Sequence, residues 1–326
     1  MTRGTPQTQS VRRPAWLRPR TMITVAGVLV FAVMLYLEGM HSSVDPIRLV
    51  EGVDPGWTAL SVVGMAASYL AATMGFLGFV PERIGVARAG LAQLAGSFVR
   101  LVAPGGFGGM ALNTRLLLRA GIAPGPAASS VGAGQLIGLG LHLGQLAFFL
   151  WLTGFRPDPT SSNDDTVLGW TIMACLVVLV LLAVALVVAP TLRRWALRKV
   201  VPLTEGSVGR LRQLARHPGH LAVGMLGQLL ISITYAWTLY CCVRACGGHP
   251  KFAAVAVAFL LGNALGSAVP TPAGVGGVEL ATTALLAETT GVNNLNAVVL
   301  FRLITVLLPV LPGWLAFGIL QRHKAL

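Results

Sequence analysis

The chain has 326 residues, of which 55% are hydrophobic and 11% charged, and it carries a formal net charge of +13. So apolar a composition excludes an ordinary soluble domain, and apolar runs long enough to cross ~30 Å of hydrocarbon recur along it. The basic excess resembles a nucleic-acid footprint only until its distribution is read, because the arginines gather in particular loops, the pattern of membrane topology.

Residues 1–20 form a basic tail holding Arg3, Arg12, Arg13, Arg18 and Arg20. A first apolar run, 21–37, follows without a small-x-small cleavage site, so it reads as a retained helix. An acidic loop with Asp45, Glu51 and Asp54 leads to a second run, 57–80. The region 89–120 is apolar but is interrupted by "APGGFGGMALNTRLLL". Runs at 127–153 and 167–189 flank a loop holding Asp158, Asp164 and Asp165. A loop with Arg193, Arg194, Arg198, Lys199, Arg210, Arg212 and Arg216 then precedes the run 221–243. A second interrupted region, 252–287, carries "PTPAGVGGVELATTALL", and the last run covers 297–320. The expected fold is an all-α polytopic membrane protein of six spans plus two broken re-entrant hairpins, eight hydrophobic regions in one transmembrane domain over 21–326. The "CCVRAC" cluster at Cys241, Cys242 and Cys246 has no second Cys/His pair at ligand spacing, so these read as ordinary helix cysteines and no metal is expected.

Counting crossings tests the hairpins. With the basic tail inside, each broken segment must return to the side it left, and then 18 of the 24 basic residues fall inside and four outside, leaving Arg100 and Arg302 within membrane segments. Both termini are then cytoplasmic, and the order is span, span, broken hairpin, span, repeated from the opposite side. That order is an inverted-topology repeat with halves at about 21–153 and 167–320. "PGGFGGMALNTRLLL" from Pro104 aligns without a gap on "PAGVGGVELATTALL" from Pro272, which supports the repeat at the hairpins.

Unpaired backbone in lipid costs several kcal/mol per group, so a break at membrane depth must be buried in protein or line a wet cavity. Pro104, Gly106, Gly108 and Gly109 mark the first break; Pro270, Pro272, Gly274, Gly276 and Gly277 mark the second. The half-helix starting after each break presents free N–H groups and a positive dipole end, which favour an anion. Glycine-rich packing seams are the competing reading. Arg100 lies just before the first break, Glu279 just after the second, and Arg302 in the final span; such charges are expensive in a membrane and are retained for a reason. Glu279 and Arg302 either pair structurally or serve a ligand, while the Arg100 guanidinium suits a phosphate. Asn113 and Asn263, on opposite hairpins, are further polar candidates. His142 and Gln145 read as interhelical glue, and Pro309 and Pro312 as kinks in the last span.

"LAGSFVRLVAPGGFGGMALNTRLLLRAGI", "GSAVPTPAGVGGVELATTALLAETTGV" and "VLLFRLITVLLPVLPGWLAF" together resemble the flippase-like transmembrane domain of the lysylphosphatidylglycerol synthase family. The pattern from Pro270 to Glu279 and the later Arg302 carry the resemblance most specifically, and the first region matches the variant in which "GGMALN" leads to an arginine, here Arg115. Arg100 is a departure, since members often have asparagine there. The resemblance implies movement of an anionic or aminoacylated phospholipid, or of a lipid-linked phosphate such as a polyprenyl-phosphate lipid, between leaflets of the bacterial cytoplasmic membrane. The aminoacyl transferase of the larger relatives resides in a soluble domain, so this chain is not expected to make the lipid itself.

The leading expectation is therefore a lipid flippase. The alternatives are a small-solute or ion secondary transporter, and a non-transporting lipid-binding partner of an envelope-synthesis enzyme. No HExxH, GxSxG or intramembrane carboxylate pair is present, and no nucleotide-binding loop, so neither catalysis nor a cofactor is expected; nucleic acid is not a partner, and self-association into a homo-oligomer is left open. In a cysteine-free background, a cysteine at Asp164 should react with a membrane-impermeant maleimide in intact cells, and one at Arg210 only after permeabilisation; the reverse pattern inverts the topology.

Overall fold

The computed structural model describes residues 52–80, 82, 84–102, 107–154, 218–266, 277–290 and 295–323. The described residues are helical throughout: α1 (Pro55–Gly78), α2 (Val86–Val102), α3 (Phe107–Arg119), α4 (Pro124–Thr153), α5 (Pro218–Ala245), α6 (Phe252–Gly266), α7 (Gly277–Thr290), α8 (Leu295–Arg302) and α9 (Val310–Arg322). The expected spans at 21–37 and 167–189, the basic tail and the two most charged loops lie outside the described residues.

Among the described residues four segments are long and apolar enough to cross a bilayer: α1 with 24 residues, α4 with 30, α5 with 28, and the 28 residues from α8 through α9. At ~1.5 Å per residue each exceeds the hydrocarbon thickness. They coincide with four of the six expected spans. The helices of the interrupted regions are shorter: 17 and 13 residues in α2 and α3, 15 and 14 in α6 and α7. None reaches the ~20 residues a crossing needs, which is how the proline and glycine breaks act on these regions.

The α1–α5 pair is the most extensive helix interface. Asp54 caps α1, accepting the Trp57 amide at 3.0 Å, and its own amide donates to the Ala245 carbonyl at the end of α5. At the opposite end of the pair Gly75 and Gly78 meet Gly227 and Gly224, so closely that a Cβ on Gly78 or Gly227 would overlap the facing backbone. Small residues let helix backbones approach in a membrane, where apolar side chains gain nothing by leaving lipid. An aromatic cluster of Trp57, Trp237, Tyr240, Phe252 and Phe149 gathers at the Asp54 end, with Trp151 exposed nearby. Such a belt suits the level of the lipid headgroups. Arg244 stacks on Trp57 with its guanidinium carbon 4.7 Å from the ring centroid. Cys241 and Cys242 are buried free thiols in α5, close to this end.

Two apolar cores form, one at each end. The core at the aromatic end joins the second half of α5 to α6, the end of α7 and α8 through Leu239, Val243, Val255, Leu260, Leu286 and Val298. The other joins the end of α1 to α2, α3, the start of α4 and α9 through Phe76, Ala92, Leu116, Leu117, Val131 and Leu320. Each core is centred on one broken hairpin. The hairpins differ in closeness: Gly262 and Gly266 of α6 abut Thr282 and Val278 of α7, whereas a Cβ on Gly96 of α2 or Gly109 of α3 would meet nothing within 4 Å. Close glycine packing therefore joins α6 to α7, while α2 and α3 leave open space beside Gly96 and Gly109; Gly106, Gly274 and Gly276, to which the packing-seam reading applied, fall outside the described residues.

Between α8 and α9 the chain makes a π-helical turn, Leu303–Leu307, closed by the Leu308 amide donating to the Leu303 carbonyl at 2.8 Å. Pro309 explains it, since its ring clashes with the carbonyl four residues back and it lacks an N–H. Beyond it Gly313 passes close to Leu94, Ser97 and Phe98 of α2, and the Ser97 hydroxyl lies 2.6 Å from the Leu94 carbonyl and 3.2 Å from that of Pro309.

Adding a side chain at the α1–α5 crossing should be costly. Gly227→Ala should lower stability by ~1–3 kcal/mol through overpacking, while Gly140→Ala, on an open face, should change it little; thermal unfolding in detergent distinguishes the two.

Candidate functional site

A cavity of about 650 Å³ lies between the two apolar cores, and helices of both broken hairpins line it. Polar side chains alternate with apolar ones along its walls. From α2 come Gln93, Gly96, Ser97 and Arg100, a stripe at helical spacing, and from α3 Gly109, Met110 and Asn113. The second hairpin contributes Asn263 from α6 and Val278 from the first turn of α7. Ser68 and Tyr69 of α1, Gln135 and His142 of α4, and Gln228, Ser232 and Tyr235 of α5 complete the ring, with Arg302 and Thr305 on the remaining side.

Each wall has a local reason. Gln93 Nε2 donates to Asn113 Oδ1 at 3.2 Å, tying α2 to α3 across the first hairpin. His142 Nε2 donates to the Leu260 carbonyl at 3.2 Å, tying α4 to α6; one turn on, Gln145 Nε2 donates to the Leu229 carbonyl of α5 at 2.9 Å. Both residues are the interhelical glue expected of them, and His142 also faces the cavity. Gly138 of α4 lies against the Gln228 side chain: a Cβ there would meet Gln228 Oε1 at 3.0 Å, so glycine makes room for that amide beside the cavity. Thr305 returns its hydroxyl to the Phe301 carbonyl at 2.7 Å within the π-helical turn.

The charges divide into a pair and a single group. Arg302 Nε donates to Glu279 Oε1 at 2.5 Å, and the two side chains are 8% and 14% exposed, so this ion pair is shielded from bulk solvent. The pair fastens the first turn of α7 to the end of α8. Glu279 does not line the cavity, and its second oxygen is buried without a hydrogen-bond partner among the described residues. Arg100 makes no ion pair among the described residues; its Nε reaches the Gly96 carbonyl at 3.4 Å and its side chain is exposed at the cavity.

Of the residues expected from sequence to form a site, Arg100, Gly109, Asn113, Asn263 and Arg302 line this one cavity, and Glu279 stands behind it. Gly108 is buried and Gly277 half-buried in the first turns of α3 and α7, next to lining residues. Arg115 is exposed on α3, away from the cavity, because it lies two residues past Asn113, on another face of the helix. Pro104, Gly106, Pro270, Pro272, Gly274 and Gly276 fall outside the described residues. Sequence reasoning missed Gln93, Ser97, Gln135, Gln228, Ser232 and Tyr235. The signal was present as polar stripes, Gln93, Ser97 and Arg100 on α2 and Gln228, Ser232 and Tyr235 on α5, both at spacings of four and three.

Apolar spans, short broken helices and a polar chamber bounded by arginine define an integral membrane protein with an internal polar site. The model of the lysylphosphatidylglycerol synthase transmembrane region matches residues 23–313, and the chain belongs to that family. Its function is accordingly related to membrane lipid. No curated protein matches the chain.

Removing one partner of a buried ion pair strands the other, at a cost of ~3–5 kcal/mol. Glu279→Ala should therefore destabilise the protein more than the double variant Glu279→Ala/Arg302→Met, as thermal unfolding in detergent would read.

Proposed function

We propose that this protein is a lipid flippase of the bacterial cytoplasmic membrane, moving an anionic or aminoacylated phospholipid or a lipid-linked phosphate between leaflets. The observation that carries the reading is the 650 Å³ cavity bounded by both hairpins and by Arg100 and Arg302. Charged and amide side chains set among membrane helices are expensive unless something polar uses them. The first turns of α3 and α7 both reach it, through Gly109 and Val278, and helix N-termini favour a phosphate. The acyl chains would remain in lipid beside the exposed apolar faces of α4 and α9, such as Leu139, Phe148, Leu311 and Leu315.

An inverted repeat fits this function, because exchanging two equivalent halves turns access from one leaflet to the other. The helix contacts support it in pairs. The contact of α2 with α9 has its counterpart in that of α6 with α4; α1 with α2 corresponds to α5 with α6; and α3 with α4 corresponds to α7 with α8. The two apolar cores are counterparts in the same sense. On the topology expected from the sequence, α1 ends and α5 begins on the cytoplasmic side, so the lining residues Phe79 and Ser130 would stand toward the cytoplasm and the core around α6 toward the outside. In this reading the protein is a transporter and not an enzyme, with an envelope-synthesis enzyme as a partner that supplies or consumes its lipid.

Purified protein in liposomes carrying fluorescent phospholipids should speed leaflet exchange over empty vesicles. Equal rates across all headgroups would end the proposal. Gly96→Leu and Gly109→Leu, placed where there is open space, should leave the fold intact and cut exchange by about tenfold, a barrier change of ~1.4 kcal/mol.

A further inference from the structure

We infer that the cavity selects a phosphodiester whose headgroup is an uncharged polyol, and disfavours an aminoacylated, ammonium-bearing headgroup. The inference rests on the lipid-transport reading and narrows its substrate.

The argument is a count of charge. Arg100 and Arg302 line the cavity, and no carboxylate among the described residues does. Asp54, Glu82, Glu279 and Glu288 are the acidic groups among the described residues. Only Glu279 comes near, and it is held by Arg302 on the side away from the cavity. The net charge that the described lining residues offer to a ligand is therefore positive by about the one guanidinium of Arg100. A phosphodiester matches that charge, and a planar guanidinium can hold two of its oxygens at once.

The uncharged part of the wall specifies the remainder. Gln93, Asn113, Gln135, Gln228, Asn263 and Ser232 present amide and hydroxyl groups, which donate to and accept from hydroxyls equally well. An ammonium can only donate, and desolvating it beside the positive charge of Arg100, unpaired among the described residues, with the nearby Glu279 carboxylate already held by Arg302, is strongly unfavourable. At about 650 Å³ the cavity lies inside the range of ~300–1,000 Å³ typical of small-molecule sites, room enough for a glycerol or sugar phosphate headgroup. Two lipids carry that chemistry: a phospholipid with a glycerol or inositol headgroup, and a polyprenyl-phosphate sugar.

The full-length protein, offered equimolar phosphatidylglycerol, phosphatidylcholine, lysyl-phosphatidylglycerol and a polyprenyl-phosphate hexose in detergent, is examined by native mass spectrometry. Phosphatidylglycerol or the hexose carrier should be retained about tenfold over the other two, a difference of ~1.4 kcal/mol, and which of them leads identifies the source. Lysyl-phosphatidylglycerol or phosphatidylcholine retained equally or better would overturn the inference. Arg100→Glu should shift retention toward lysyl-phosphatidylglycerol. Since Arg100 makes no ion pair among the described residues and its Nε donates to the Gly96 carbonyl of its own helix, the variant should unfold near the parent temperature, and an unchanged ranking in that folded variant would also overturn the inference. Leaflet exchange in liposomes reads the broader proposal separately. Absence of exchange with the ranking intact removes transport alone, and fast movement of lysyl-phosphatidylglycerol removes only the selectivity.

Discussion

Hydrocarbon offers no partner to a backbone N–H or C=O, and the rest of this structure follows from how the chain meets that constraint. Its four long apolar segments satisfy it by remaining helical across the bilayer. The two interrupted regions cannot, because proline and glycine end their helices at 17 and 15 residues, short of a crossing. Their ends must be enclosed by protein. Among the described residues two apolar cores form, each built around the helices of one hairpin, and the space between them is lined in part by polar side chains.

Three devices keep that space from collapsing. The α1–α5 seam, with glycine against glycine at one end and the Asp54 cap at the other, sets a rigid axis along one wall. The Gln93–Asn113 and His142–Leu260 hydrogen bonds hold neighbouring helices at fixed separations, and the glycines of the first hairpin leave room that any larger residue would fill. The π-helical turn ahead of Pro309 displaces the last span, bringing Thr305 and Val306 to the cavity instead of to lipid. The Arg302–Glu279 pair then has a double consequence. It fastens the start of α7 to α8, and it compensates the one acidic group that the described residues bring near the cavity.

Much of this was legible in the residues. The positions of α1, α4, α5 and the last span follow from unbroken apolar runs, and the interrupted regions from Pro104 and Pro272 with their glycines. Arg100, Asn113, Asn263 and Arg302 stood out because an ionisable or amide group in an apolar run is expensive. Arg115 stood out for its motif, yet it points elsewhere, because a helix turns ~100° per residue and a motif does not record which face is inward. Gln93, Ser97, Gln228 and Ser232 were passed over for the converse reason, since each by itself is an ordinary polar residue in a membrane helix. Only their common face makes them a wall.

The sequence by itself determined which segments cross hydrocarbon, where they must break, and which charges the membrane must shelter, because each of these is a transfer cost carried by a residue and its near neighbours. Tertiary structure alone decided that Arg302 spends its Nε on Glu279 across 23 positions while Arg100 keeps its charge for the cavity, and that the second hairpin closes while the first stays open. Those outcomes depend on which helix faces meet, and in a membrane that is set by close packing of small residues and by polar pairing between helices distant in sequence, neither of which is written in any one segment.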